Sequence, residues 1–173
     1  HEVSYKTYMI NMFGMQSPSL VVGEERALLI DTGVGNYDLK GLVESITALP
    51  YDVVITHGHG DHIGGLGQFS QAYVHPADWQ AVETFDAPFL AQYIQRMLPH
   101  DTWGCFDCPQ EIMPWQYRPQ LLPLEDGQVF DLGGRRVTAY AAPGHTPGEM
   151  VFVDDRSRIL FSGDAANCNL GLG

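Results

Sequence analysis

The sequence predicts a layered α+β domain with its chemistry at strand ends, and three observations carry that reading. Short apolar runs bounded by Gly, Pro, Asp or Glu recur along the chain, as in SLVVG (19–23), RALLIDTG (26–33) and YDVVIT (51–56). Segments of helical period alternate with them. A histidine-rich stretch, ITHGHGDHIGG (55–65), follows directly on one of the apolar runs. Open α/β sheets place their ligands at that end of a strand.

In chain order, Val3 to Ile10 reads as a strand, and 19–23 and 26–33 as a hairpin turning at Glu24 and Glu25. Asp38 caps a helix with Leu39, Leu42, Val43, Ile46 and Leu49 at helical spacing, and Pro50 stops it. YDVVIT is a buried strand that runs into the histidines. AYVH (72–75) is the next strand, and Pro76 opens a helix over PADWQAVE (76–83). Residues 87–98 are amphipathic, with Phe89, Leu90, Tyr93, Ile94, Met97 and Leu98 on one side. From Pro99 to Pro123 the chain reads as an irregular, proline-rich loop. Strands return at 128–132, 135–142, 150–154 and 158–162, the last two joined by the turn VDDRSR. No repeat and no boundary divides the chain, so residues 1–173 form one domain, with 76–123 as an insertion or lid.

The length suits one domain with a real core. A net charge of -12, with no Lys/Arg-rich run, argues against nucleic-acid partners. No apolar window reaches the run of about 18 residues that a bilayer span requires. The three cysteines, 105, 108 and 168, make no disulfide framework and suggest a reducing, cytoplasmic setting. Cys105 and Cys108 form a CxxC with no second pair to complete a structural zinc site.

His57, His59, Asp61 and His62 spell HxHxDH. Residues two apart in an extended segment point the same way, so His57 and His59 can reach one metal. Asp61 and His62 lie on the following turn and reach a second point nearby. Imidazole and carboxylate donors suit zinc and ferrous iron. Downstream, AAPGHTPGEM places His145 and LFSGDAA places Asp164, each just past a strand.

With LLIDTG, ITHGHGDHIGG, APGHTPGEM and LFSGD in this order, the chain resembles the metallo-β-lactamase superfamily of metallohydrolases, in particular its glyoxalase II-like branch. The resemblance implies a four-layer αβ/βα sandwich with metals at one edge. It implies that His57, His59 and His145 hold one ion, that Asp61 and His62 hold another, and that Asp164 bridges both. Two Zn2+ ions are expected, with Fe or Mn as substitutes. Asp31 resembles the outer aspartate that orients the site, and His75 and His100 match no ligand and are read as structural. The family pattern ends with a further histidine, and none follows His145 here. The expectation is a C-terminally truncated domain whose second half is incomplete, with self-association through the unfinished sheet.

The implied activity is a metal-dependent hydrolase that uses a metal-bound hydroxide on an ester, thioester, lactone or related bond of a small-molecule substrate. Asp61 or Asp164 would orient the nucleophile and take its proton. Alternatives are an iron persulfide-dioxygenase-like enzyme using His57, His145 and Asp164, a nuclease or phosphodiesterase, and a non-catalytic metal-binding fragment. Trp103 and Trp115, in the irregular stretch, are the residues expected to cover the pocket.

Overall fold

The computed structural model describes residues 1–11, 17–97, 115 and 117–166. Of the predicted pocket residues and spare histidines, Trp103 and His100 lie outside these, as do all three cysteines.

Among the described residues, eleven strands form two sheets. The first, in order β1-β2-β3-β4-β5-β6-β7, comprises β1 (Glu2–Ser4), β2 (Thr7–Met9), β3 (Ser19–Val22), β4 (Ala27–Ile30), β5 (Tyr51–Val54), β6 (Gln71–Val74) and β7 (Gln120–Pro123). It is antiparallel from β1 to β4 and parallel from β4 to β7. The second, in order β11-β10-β9-β8, is antiparallel throughout and comprises β8 (Val129–Asp131), β9 (Arg136–Ala141), β10 (Met150–Asp154) and β11 (Leu160–Phe161). The helices are α1 (Leu39–Ile46), α2 (Gly60–Ile63), α3 (Trp79–Glu83) and α4 (Ala87–Met97). None among the described residues is long and apolar enough to cross a membrane.

The apolar run Ala27–Ile30 is explained by burial on both faces. Side chains alternate across a strand, so Ala27 and Leu29 enter one core while Leu28 and Ile30 enter the other. The first core lies under the helices and takes Leu39, Val43, Ile63, Leu66 and Val82. The second lies between the sheets and takes Val54, Phe130, Val137, Met150 and Phe152. The described layers are thus helices, mixed sheet and antiparallel sheet. This arrangement agrees with the layered class that the sequence predicts.

Two elements depart from that reading. The Val3–Ile10 strand is broken into β1 and β2 by a turn with Lys6 at φ +46°. Residues 120–123, read as irregular loop, form β7, which pairs in parallel with β6. Proline is tolerated there because β7 is an edge strand.

Arg135 ties the sheets together from a buried position. Its guanidinium donates to the carbonyls of Tyr5 and Val22 at 3.1 and 3.2 Å, to Thr7 Oγ1 at 2.9 Å, and to the buried Asp154 carboxylate.

Candidate metal centre

The chain leaves β5 buried and extended, and Thr56 N donates to Asp31 Oδ1 at 2.8 Å. Asp31 follows β4 with φ +63°, a left-handed conformation that costs a non-glycine residue energy and is kept where the surroundings demand it. That turn aims one carboxylate at two elements: Asp31 Oδ2 accepts from Thr56 Oγ1 and from His62 Nδ1, each at 2.8 Å. The path from β5 through α2 is thereby fixed.

Four imidazoles converge. Ring centroids of His57 lie 4.7, 4.0 and 4.9 Å from those of His59, His62 and His145. His145 Nε2 and His59 Nδ1 are 2.9 Å apart. Two donor groups result, each with its ligand atoms within 4.8 Å of one another: His57, His59 and His145; and His57, His62 and Asp164. The Asp164 carboxylate spans them, with Oδ1 3.4 Å from His62 Nε2 and Oδ2 3.5 Å from His145 Nε2. Asp61 stands in neither group, its Oδ2 being 3.9 Å from His62 Nε2. Gly163, at φ +50°, delivers Asp164, and a Cβ there would stand 2.7 Å from Thr56.

The donors suit divalent cations. His57 Nε2 is buried without a hydrogen-bond partner, an arrangement that costs free energy unless something binds it, and the buried His62 Nε2 faces only the Asp164 and Asp61 carboxylates at 3.4 and 3.9 Å. Their other nitrogens are engaged. His62 Nδ1 donates to Asp31, while His57 Nδ1 lies 3.1 Å from Thr56 Oγ1 and 3.7 Å from Glu149 Oε1. Outer partners of this kind fix the imidazole tautomer and turn the second nitrogen toward a metal.

The model of the metallo-beta-lactamase superfamily matches residues 12–167. The chain belongs to the metallo-beta-lactamase superfamily. The chain is 34% identical over 161 residues to the acyl-coenzyme A thioesterase MBLAC2 of Homo sapiens, a match covering 84% of this chain and 56% of that protein. It is 33% identical over 147 residues to the atrochrysone carboxyl ACP thioesterase dmxR1 of Cryptosporiopsis sp. (strain 8999), covering 82% of this chain and 35% of that protein. It therefore spans little more than half of the first relative and about a third of the second. Among solved structures, the metallo-beta-lactamase family protein TTHA1429 from Thermus thermophilus matches with a TM-score of 0.61 at 22% identity, over 95% of this chain and 61% of that one. The protein TTHA1623, in a di-iron-bound form, matches with a TM-score of 0.59 at 25% identity, over 90% and 70%.

In this metallo-beta-lactamase superfamily member the electrostatics divide the histidines. Burial, reinforced by His62, pulls His57 down to about 4. Burial and His145 lower His59 as well. Burial would also lower His62, but Asp31 and Asp164 outweigh it and raise this imidazole to about 10. The neighbouring His62 in turn holds Asp164 down at about 2. Burial raises the Glu149 carboxyl.

Sequence reasoning passes over two residues that organise the site. Asp78, 4% exposed, accepts from Gly58 N at 2.8 Å, Thr146 Oγ1 at 2.7 Å and Gly148 N at 2.9 Å. It joins the loop carrying His57 and His59 to the loop carrying His145. Glu149, 1% exposed, faces His57 and accepts from Asp164 N at 3.1 Å. Glu149 adjoins the GHTPG turn, which is its one sequence signal. Asp78 has none, since an acidic residue in the first turn of a helix is ordinary.

Trp115 takes a supporting position. Its indole donates to Gly64 O at 2.8 Å and its ring stacks on Phe85 at 4.5 Å. It backs the cavity that His59 and Asp61 line and is not among that cavity's lining residues. His75, read as structural, caps the turn at 76–78 by accepting from Ala77 N at 3.3 Å.

Proposed function

We propose that the protein is a metal-dependent hydrolase of acyl thioesters. The observation that carries this reading is the pair of three-donor groups, which share His57 and are spanned by Asp164. The thioesterase names of two relatives narrow the bond class. Two divalent cations held there, of which zinc is the first choice, would polarise the acyl carbonyl and lower the pKa of water toward neutrality. His57, His59 and His145 would hold one, and His62 and Asp164 the other, with Asp61 beside His62.

The chain's own groups do the rest. Asp164 Oδ1 and Oδ2 face both halves of the site, so this carboxylate is placed to orient the attacking water. Asp61 lines the adjoining cavity and is the second carboxylate within reach. Asp31 and Glu149 keep the inner imidazoles in register from behind. In the reaction the water oxygen bonds to the acyl carbon, the C–S bond breaks, and the departing thiolate takes up the proton that the water gives up, leaving a carboxylic acid and a thiol.

The test is hydrolysis of acyl thioesters by the zinc-loaded protein and its His59→Ala variant. His59 is exposed, so its truncation removes a donor without opening the core. Expected are turnover in the parent and a loss of at least about 100-fold in the variant. Undiminished turnover in His59→Ala would overturn the assignment.

A further inference from the structure

A cavity of about 550 Å³ opens beside His59 and Asp61. This lies within the usual range for small-molecule pockets. Its apolar wall comes from α3, α4 and the turn between them, as Ala81, Phe85, Phe89 and Leu90. Phe89 is 67% exposed, a large apolar surface left in water beside a reactive centre. Phe85 is held from behind by Trp115, so this part of the wall is built in advance. The wall and the metal-binding motif touch: a Cβ on Gly60, between His59 and Asp61, would lie 3.1 Å from Leu90 and 3.6 Å from Phe85.

Charge decides which part of a thioester fits. Among the described residues no Lys or Arg lines the cavity, and Asp86 adds a carboxylate. The whole chain carries -12. A phosphate-bearing carrier is repelled from such a surface, whereas a neutral hydrocarbon gains by covering Phe89.

We infer that the cavity between the HxHxDH loop and the α3–α4 wall receives an apolar acyl chain, and that the thiol carrier stays outside it. The inference rests on the thioesterase reading for its chemistry but can be tested apart from it. Phe89 is the residue that sets the preference for chain length.

The experiment measures binding of the straight-chain acids butyrate, octanoate and decanoate to the zinc-loaded protein by calorimetry. The same panel is run on Phe89→Asp and Phe89→Leu, and the matching acyl-N-acetylcysteamine thioesters are assayed for hydrolysis. A fully buried methylene is worth about fourfold, and the cavity is open, so affinity should rise at least about tenfold from butyrate to decanoate. The rise should vanish in Phe89→Asp and persist in Phe89→Leu. A flat series in the parent, or a rise that survives Phe89→Asp, would overturn the inference. So would hydrolysis of these thioesters at a rate that does not depend on the acyl chain. A rise in affinity without hydrolysis of any thioester supports the acyl cavity and overturns the thioesterase reading instead.

Discussion

His57 and His62 are both buried, yet their surroundings drive them in opposite directions, because His62 faces a carboxylate at each nitrogen. In the metal-free protein His62, raised to about 10, keeps its second proton at neutral pH. That proton stabilises the fold fully below the ordinary value of 6.5, and the contribution is lost as pH rises toward 10. A cation at Nε2 must displace it. Uptake at the His62 side should therefore release a proton near pH 7 to 8, and affinity there should climb with pH by up to about tenfold per unit. Calorimetric titrations in buffers of different ionisation enthalpy would count that proton, and a count of zero would contradict the assignment. His57, lowered to about 4, is already neutral and releases none. Asp78 invites a second test. Asp78→Ala leaves the Gly58 and Gly148 amides and the Thr146 hydroxyl without their acceptor. Metal affinity at the His57, His59 and His145 group should fall about 10- to 100-fold, read by cobalt titration. Asp78→Asn, which retains one acceptor oxygen, should recover part of the loss.

Among the elements, the segment from β5 into α2, the β9–β10 loop and the turn after β11 bring the ligands together, and the sheets beneath hold them still. Arg135, immediately before β9, joins the β1–β2 turn and β3 to Asp154 at the end of β10. Both charges are buried, at 3% and 0% exposure. Removing one leaves the other uncompensated in the interior. Arg135→Leu should cost about 3–5 kcal/mol in urea denaturation, and the double variant with Asp154→Leu should regain much of that. A cost of Arg135→Leu below about 1 kcal/mol would show the pair to be well hydrated. β7 shows how an element escapes sequence reading. Its closing proline and lack of alternation resemble loop, and only pairing with β6 makes Gln120–Pro123 a strand.

At the scale of the molecule, the metal site lies on one edge shared by both sheets, so its donors come from sequence positions 57 to 164. A cation held there links residues as far apart in the chain as His57 and Asp164. A cation that binds only the folded chain, present at 100 times its Kd, adds about 2.7 kcal/mol of stability. Zinc should therefore raise the thermal midpoint and a chelator should lower it. Identical midpoints in both conditions would exclude a coupled metal site. The negative charge of -12 acts at this scale too, favouring cations at the site and disfavouring phosphate-bearing groups nearby.

The motif HxHxDH, the hairpin at 19–33 and the capped helix after Asp38 are legible in the chain alone. Each depends on neighbours a few residues away, through strand alternation, helical period or turn chemistry. His145 and Asp164 are legible less directly, through their place after strands and the family likeness of their turns. Tertiary structure alone decided the sharing of His57 between two donor groups. It also decided the clamp formed by Asp78 and the apolar wall beside His59. These depend on contacts between residues 20 to 107 positions apart, such as Gly58 with Asp78 and His57 with Asp164. Such contacts leave no period or spacing in the sequence, because packing of the two sheets sets their distances.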